Sequence, residues 1–152
     1  MSITALLTPA GIKLGSIVSS KEDAIDRLFT LQNAVGGVTN PAVFRADILA
    51  RESQGSTALP GGIAIPHAKS RGVTAPGIVA LTAPNGVDFG APDGAPSRLL
   101  FLLSGPADAP EGYLQTLSDL MTLLLDKTLA DKLLAAKTPA EFLDVLKTAE
   151  AG

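Results

Sequence analysis

The chain has 152 residues, which is the size of one domain, and we expect residues 1–152 to fold as a single unit. Apolar residues make up 46% of it and charged residues 18%, a balance that supports a buried core and argues against disorder. The net charge of −3, with basic residues scattered singly, argues against a nucleic-acid surface, and the absence of cysteine excludes disulfides, thiolate zinc sites and cysteine nucleophiles.

Two helices are predicted in the first third of the chain. The run Ser19–Asp23 has the serine-to-acid spacing of a capping box, and Gly36-Gly37 should end the helix that it begins. Asn40-Pro41 begins a second helix, with asparagine as the cap and proline in the first turn, and this helix should end near Arg51-Glu52. The side chains predicted to face inward are Ile25, Leu28, Leu31, Val43, Phe44 and Ile48.

The middle of the chain reads as a loop followed by strands. Residues 53–60 are rich in Gly, Ser, Thr and Pro and predict a loop. Ile63–Ile65 is a short buried strand ended by Pro66, because proline cannot donate to a ladder. Further strands are predicted at Gly77–Ala83 and Arg98–Ser104.

Two details refine this region. Pro84-Asn85-Gly86 predicts a turn, and Val87–Phe89 a short edge strand after it. Leu99–Leu103 is apolar at every position, as in a central strand whose two faces are both covered by helices.

The last third is helical. Caps are predicted at Thr128–Asp131 and at Thr138–Glu141, the second with proline at the first helical position. The order of helices, strands and helices indicates an α/β or α+β sandwich with helical cover for both faces of the sheet. The helix before these caps has apolar or aromatic residues at helical spacing, namely Tyr113, Leu114, Leu117, Leu120, Met121, Leu124 and Leu125.

No apolar run approaches the roughly 20 residues of a membrane span, and Met1–Thr4 lacks the basic region of a secretory signal. We therefore expect a soluble, cytoplasmic protein.

His67 is the single histidine and the main candidate for chemistry. Imidazole is a nucleophile near neutral pH, and Pro66 stiffens the backbone before it. Phosphoryl transfer needs such a nucleophile plus donors for the phosphoryl oxygens, which Arg51, Ser56 and Thr57 could supply. The residues alone leave open a surface histidine, a solvated arginine at a helix end and an ordinary loop.

The segment Gly61–Ala68 resembles the active-site segment of the enzyme IIA proteins of the sugar phosphotransferase system, fructose/mannitol type. The likeness covers nearly the whole chain, because several separated motifs follow the family's order and spacing. Those motifs are Arg51-Glu52, Ser56-Thr57, Gly62–Ala68, Val87–Gly90 with Asp93-Gly94, and Leu99–Leu103.

The resemblance implies a mixed sheet of about five strands flanked by helices on both sides. It implies that His67 accepts a phosphoryl group on Nε2 from the phosphohistidine of HPr and passes it to a cysteine of the cognate enzyme IIB. The membrane enzyme IIC would take part indirectly, and neither a cofactor nor a metal is expected. Arg51 would balance the phosphoryl charge, with Ser56, Thr57 and Pro66 in support.

One position departs from the family pattern. Many members carry a second histidine where this chain has Tyr113, which as a phenol stays neutral near pH 7. Tyr113 could donate to a phosphoryl oxygen or could simply pack at the helix start. The expected function is phosphotransfer for uptake of a sugar, with fructose as the expected sugar. The alternatives are a nitrogen-type regulatory protein, which signals through its phosphorylation state, and a degenerate binding module.

Overall fold

A six-stranded mixed sheet with helices on both faces forms the centre of the molecule in the computed structural model, which describes residues 3–152 apart from the side chains of residues 110 and 111. This confirms the predicted fold class, and the prediction at Met1-Ser2 lies outside the described residues. The helices are α1 (Ile3–Leu6), α2 (Lys21–Val35), α3 (Pro41–Ser53), α4 (Pro110–Leu124), α5 (Lys127–Ala135) and α6 (Pro139–Ala151). The strands are β1 (Ile12–Lys13), β2 (Ala58–Leu59), β3 (Ile63–Ala64), β4 (His67–Ser70), β5 (Gly77–Val87) and β6 (Ser97–Pro106).

Strand β6 is central in the sheet. The order is β1-β5-β6-β3-β2, and β4 also pairs with β6. β3 and β4 both run parallel to β6, with Ile63 opposite Leu99 and His67 opposite Leu103. β5 pairs with the other edge of β6 in antiparallel register. The two short strands β3 and β4 are thus successive segments along one side of β6, separated by Ile65-Pro66.

The run Leu99–Leu103 is buried on both faces, as its uniform apolarity predicts. Leu99, Phe101 and Leu103 belong to a core shared with α1, α4, α5 and α6. Leu100 and Leu102 belong to the opposite core, shared with α2 and α3. Fully burying one such side chain contributes about 1.5–3 kcal/mol, so this strand anchors both layers.

Most predicted helix ends are confirmed. The side chains of Ser20, Asn40 and Thr138 each accept a hydrogen bond from a backbone N–H in the first turn of α2, α3 and α6 respectively. The cap predicted at Thr128 is wrong, because Asp126 caps α5 by accepting from Thr128 N and Leu129 N. A carboxylate two residues earlier satisfies both free N–H groups, so the helix begins before the threonine.

Two further details differ from prediction. The prediction of a turn at Pro84-Asn85-Gly86 is wrong, since β5 continues to Val87 with a register shift between Thr82 and Val87. The shift gives the exposed Pro84 no register partner on β6, so its lack of an N–H costs no hydrogen bond in the ladder. Val43 was predicted to face inward but is 37% exposed, because Phe44 and Ile48 form the face of α3 that meets the sheet.

Candidate phosphoryl-transfer site

The backbone holds His67 on both sides. Pro66 is buried, and its carbonyl accepts a hydrogen bond from Leu103 N at 3.1 Å. His67 then opens β4, directly opposite Leu103. The break between β3 and β4 therefore ends at the histidine, whose side chain is half-buried.

The ring of His67 has a defined tautomer. Its Nδ1 lies 2.8 Å from the carbonyl oxygen of Ile65. A carbonyl oxygen only accepts, so in the neutral ring Nδ1 carries the hydrogen and Nε2 carries the lone pair. Nε2 is consequently the ring nitrogen whose lone pair is free.

Burial lowers the pKa of His67 below its ordinary value of 6.5. The hydrogen bond to Ile65 opposes this shift, the positive charge of Arg51 adds to it, and the negative charge of Glu52 opposes it. The ring is thus neutral, and able to act as a nucleophile, down to a lower pH than a free histidine.

Arg51 lies in the last turn of α3, where its Nη1 donates to the carbonyl oxygen of Gly55 at 3.1 Å. Its charge acts on both His67 and Tyr113, lowering the pKa of each. The guanidinium is partly exposed and ties back the loop that follows its own helix. It is therefore placed to act on negative charge at the histidine.

Tyr113 packs beside His67. The two ring centroids are 6.3 Å apart with the planes tilted by 53°, and Tyr113 is 6% exposed. Burial raises the pKa of the Tyr113 phenol well above its ordinary value, so the group is neutral. Gly105 makes room for it, because a Cβ at that position would meet Tyr113 Cδ1 at 2.8 Å.

Ser56 and Thr57 lie in the loop before β2, with their hydroxyl hydrogens directed at protein acceptors. Ser56 Oγ donates to the carbonyl of Phe89, and Thr57 Oγ1 donates to Glu52 Oε1 at 2.6 Å. Thr57 is buried, and its carbonyl accepts from Ile65 N at 3.1 Å. In this state both hydroxyls shape the loop beside His67.

The family model for the phosphoenolpyruvate-dependent sugar phosphotransferase system, EIIA 2, matches residues 5–149. The chain belongs to this EIIA family. Proteins of the family are phosphotransferase components, and the match includes every candidate residue described above.

Curated relatives of this EIIA chain include sugar-specific components and nitrogen regulatory proteins. The fructose-specific EIIABC component of Bacillus subtilis is 37% identical over 96% of the chain, which spans 23% of that protein's length. The fructose-specific EIIA component of Haloferax volcanii is 34% identical, with 96% of this chain and 97% of that protein covered. The nitrogen regulatory protein of Klebsiella oxytoca is 39% identical, with 86% and 80% covered.

Solved structures show the same fold. The nitrogen regulatory protein IIA-Ntr of Neisseria meningitidis superposes with a TM-score of 0.87 at 30% identity, covering 95% of this chain and 98% of that one. The enzyme IIA of Escherichia coli solved in complex with phosphorylated enzyme IIB, both of the mannitol system, superposes with a TM-score of 0.80 at 25% identity, covering 94% and 99%.

Sequence reasoning assigned no role to two charged residues near His67, namely Glu52 and Lys21. Glu52 is 7% exposed, accepts from Thr57 and pairs with Lys21 Nζ at 2.8 Å. Lys21 lies at the start of α2 and its ammonium sits 4.9 Å from the centroid of the Phe89 ring. The resemblance marks Glu52 only as part of the Arg51-Glu52 motif, and an acidic residue at a helix end carries no local pattern that separates a buried carboxylate from a solvated one.

The candidate site holds one imidazole, one guanidinium, one phenol and loop hydroxyls, with the Glu52–Lys21 pair behind the loop. In the described part of the chain, residues 3–152 without the side chains of 110 and 111, the His, Cys, Asp and Glu side chains form no cluster that could hold a metal ion. In that same range, no helix combines the length and apolarity needed to cross a bilayer.

Proposed function

We propose that the chain is a phosphocarrier, which accepts a phosphoryl group from phospho-HPr on His67 and passes it to a cognate enzyme IIB. The observation that carries this proposal is the contact of Nδ1 with the Ile65 carbonyl. It leaves the Nε2 lone pair free on a ring kept neutral by burial. A neutral, aimed nitrogen is what nucleophilic attack on phosphorus requires.

The transfer is a simple displacement. Nε2 of His67 attacks the phosphorus of the donor phosphohistidine, the donor's N–P bond breaks, and its electron pair returns to the donor nitrogen. In the second transfer, a cysteine thiolate of enzyme IIB attacks the phosphorus, and the N–P bond to His67 breaks. Little acid–base chemistry is needed, so the protein contributes mainly position and charge.

Arg51 is the residue proposed to balance the charge of the phosphoryl group. It is the cation whose charge already acts on His67, and a guanidinium pairs with phosphoryl oxygens through two parallel donors. Pro66 fixes the backbone at the histidine, and Ser56 and Thr57 shape the adjoining loop. Tyr113 offers a neutral hydroxyl beside the ring in place of a second histidine.

The proposed partners are HPr as the donor and enzyme IIB as the acceptor. The similar mannitol enzyme IIA is solved in complex with phosphorylated enzyme IIB, which supports an acceptor of this kind. The start of α4 offers apolar surface next to the site, because Leu114 is 58% exposed directly after Tyr113. We place the docking face there and around the loop of Ser56 and Thr57.

Fructose uptake is the proposed use of the carrier, with a membrane enzyme IIC downstream and a cytoplasmic location. Two fructose-specific relatives covering 96% of the chain favour it. A second candidate is the regulatory function of the nitrogen branch, favoured by the Klebsiella relative and by the Neisseria structure. Phosphorylation of fructose by membranes that contain the partner permease would depend on this chain only in the first case.

Incubation with enzyme I, HPr and phosphoenolpyruvate tests the carrier function. The wild-type chain should gain the mass of one phosphoryl group in an adduct that is labile in acid and stable in base, as an N–P bond is. His67→Gln keeps a polar side chain of similar length and should take up nothing. Uptake by His67→Gln, or no uptake by the wild type, would contradict the proposal, and the second result would favour a binding module without phosphate.

A further inference from the structure

Glu52 is a buried carboxylate whose position the proposed transfer step does not explain. Its side chain is only 5% exposed, yet it accepts from Thr57 N at 2.9 Å, from Thr57 Oγ1 at 2.6 Å and from Lys21 Nζ at 2.8 Å. Lys21, Glu52 and Thr57 are called the Glu52 network below. The three residues come from the start of α2, the last turn of α3 and the loop before β2.

Burying an ion pair is costly, and apolar residues of the same volume often stabilise a fold at least as well. A carboxylate kept in such a place is therefore weak evidence for stability alone. The arrangement does satisfy its acceptors with donors of good geometry, so the charge is held at one defined point.

The Glu52 network connects directly to the backbone that aims His67. The carbonyl of Thr57 accepts from Ile65 N at 3.1 Å, and the carbonyl of Ile65 accepts from His67 Nδ1 at 2.8 Å. The chain of contacts thus runs from Glu52 through one residue of the loop and one residue after β3 to the ring.

Neighbouring residues hold the same loop from its other side. Arg51 donates to the carbonyl of Gly55, and Ser56 donates to the carbonyl of Phe89. The Phe89 ring in turn lies under the Lys21 ammonium. Two consecutive residues at the end of α3 therefore hold the loop: the cation Arg51 binds it at Gly55, and the anion Glu52 binds it at Thr57.

We propose that Glu52 is a positioning residue for His67, which fixes the Nδ1–H tautomer by clamping Thr57 and, through it, the Ile65 peptide. It never touches the phosphoryl group. Its kinetic consequence rests on the proposed phosphocarrier function, whereas its effect on the tautomer does not.

The proposal is tested on the full chain with Glu52→Gln, which keeps the shape but replaces one acceptor oxygen by an NH₂ facing donors. Thr57→Val removes only the hydroxyl donor and serves as a second variant if Glu52→Gln fails to fold. Glu22→Gln is the matched control, because Glu22 lies on the same helix as Lys21 and its side chain is 74% exposed. The readouts are the ¹⁵N shifts of the His67 ring in the resting protein, and kcat and KM for phospho-HPr.

Glu52→Gln and Thr57→Val should raise the Nε2–H tautomer severalfold and lower kcat about tenfold with KM nearly unchanged. Glu22→Gln should match the wild type in both. A Glu52→Gln protein that melts earlier but keeps the wild-type ring shifts would overturn the proposal, since Glu52 would then be structural only. If the wild type took up no phosphate, the carrier function would fail, but the ring shifts would still decide the role of Glu52.

Discussion

His67 owes its proposed reactivity to its backbone surroundings and its burial. The Ile65 carbonyl selects the tautomer, and burial lowers the pKa. With a depressed pKa, the ring stays neutral down to a lower pH than a free imidazole, whose ordinary pKa is about 6.5. The carrier should therefore keep its nucleophile under mildly acidic conditions in which a free imidazole is already half protonated.

Arg51→Ala is expected to slow phosphoryl transfer from HPr about tenfold or more. A charge-assisted contact to the phosphoryl oxygens is worth roughly 1.5–3 kcal/mol, and each 1.4 kcal/mol is a factor of ten in rate. Stability should change little, because Arg51 is partly exposed and donates a single hydrogen bond to Gly55. Rapid-quench kinetics and thermal melts measure the two quantities.

Arg98→Ala is the control for that experiment, since Arg98 is an exposed arginine near the start of β6. It should transfer phosphate at the wild-type rate. Equal transfer rates for Arg51→Ala and Arg98→Ala would contradict the prediction and show that Arg51 is only a solvated charge at a helix end.

Tyr113 provides a test of pH dependence at a single residue. Tyr113→Phe removes only the hydroxyl and should slow transfer a few-fold, the cost of one hydrogen bond of about 0.5–1.5 kcal/mol. Tyr113→His places a second imidazole in the position of a tyrosine ring whose centroid lies 6.3 Å from that of His67 and on which the charge of Arg51 acts. The transfer rate should then gain a second titration besides that of His67. It should lie below the ordinary imidazole value of about 6.5, because the position is buried and near the charge of Arg51, whereas the phenol of the wild type is neutral throughout.

The pH–rate profiles of the wild type, Tyr113→Phe and Tyr113→His decide whether Tyr113 takes part in transfer. A Phe variant with the wild-type rate, together with a His variant with the wild-type profile, would make Tyr113 a packing residue only. Its tight contact with Gly105 would then be its main role.

At the scale of elements, the helix ends show where local patterns suffice. Ser20, Asn40 and Thr138 cap their helices as their sequences predict, because a cap needs only residues within one turn of each other. The same rule gave a wrong result at Thr128, where two candidate caps lie two residues apart. The structure selects Asp126, whose carboxylate also faces the positive end of the α5 dipole.

Asp126→Ala should lower the free energy of unfolding by about 1 kcal/mol, the usual cost of losing a helix cap. Thr128→Ala should change it much less, because Thr128 contributes its backbone N–H to the cap and that group survives the substitution. Urea denaturation followed by circular dichroism compares the two variants with the wild type. A larger loss in Thr128→Ala would restore the cap that the sequence predicts.

At the scale of the whole molecule, strand order brings the site together. The end of α3, the segment before β4 and the start of α4 are separate in sequence, and the sheet places them side by side through β6. β6 pairs with both β3 and β4, so the two halves of the segment that ends at His67 share one rigid support. Helices α2 and α3 cover one face and α1, α4, α5 and α6 the other.

The sequence by itself determined the features that rest on local or repetitive patterns. The uniform apolarity of Leu99–Leu103 predicts a strand covered on both faces, and cap residues predict most helix ends. Ile65-Pro66-His67, with the separated motifs around it, predicts the EIIA family and its candidate nucleophile. Each of these depends on residues close in sequence or on motif order, which a chain displays without folding.

Only the tertiary structure decided which groups meet. The buried Glu52, its bond to Thr57 and its pair with Lys21 depend on packing α2 against the end of α3. The tautomer of His67 depends on the direction of one carbonyl, and the neutrality of Tyr113 depends on its burial beside Gly105. Distance, burial and hydrogen-bond direction set these properties, and they exist only once segments remote in sequence are brought into contact.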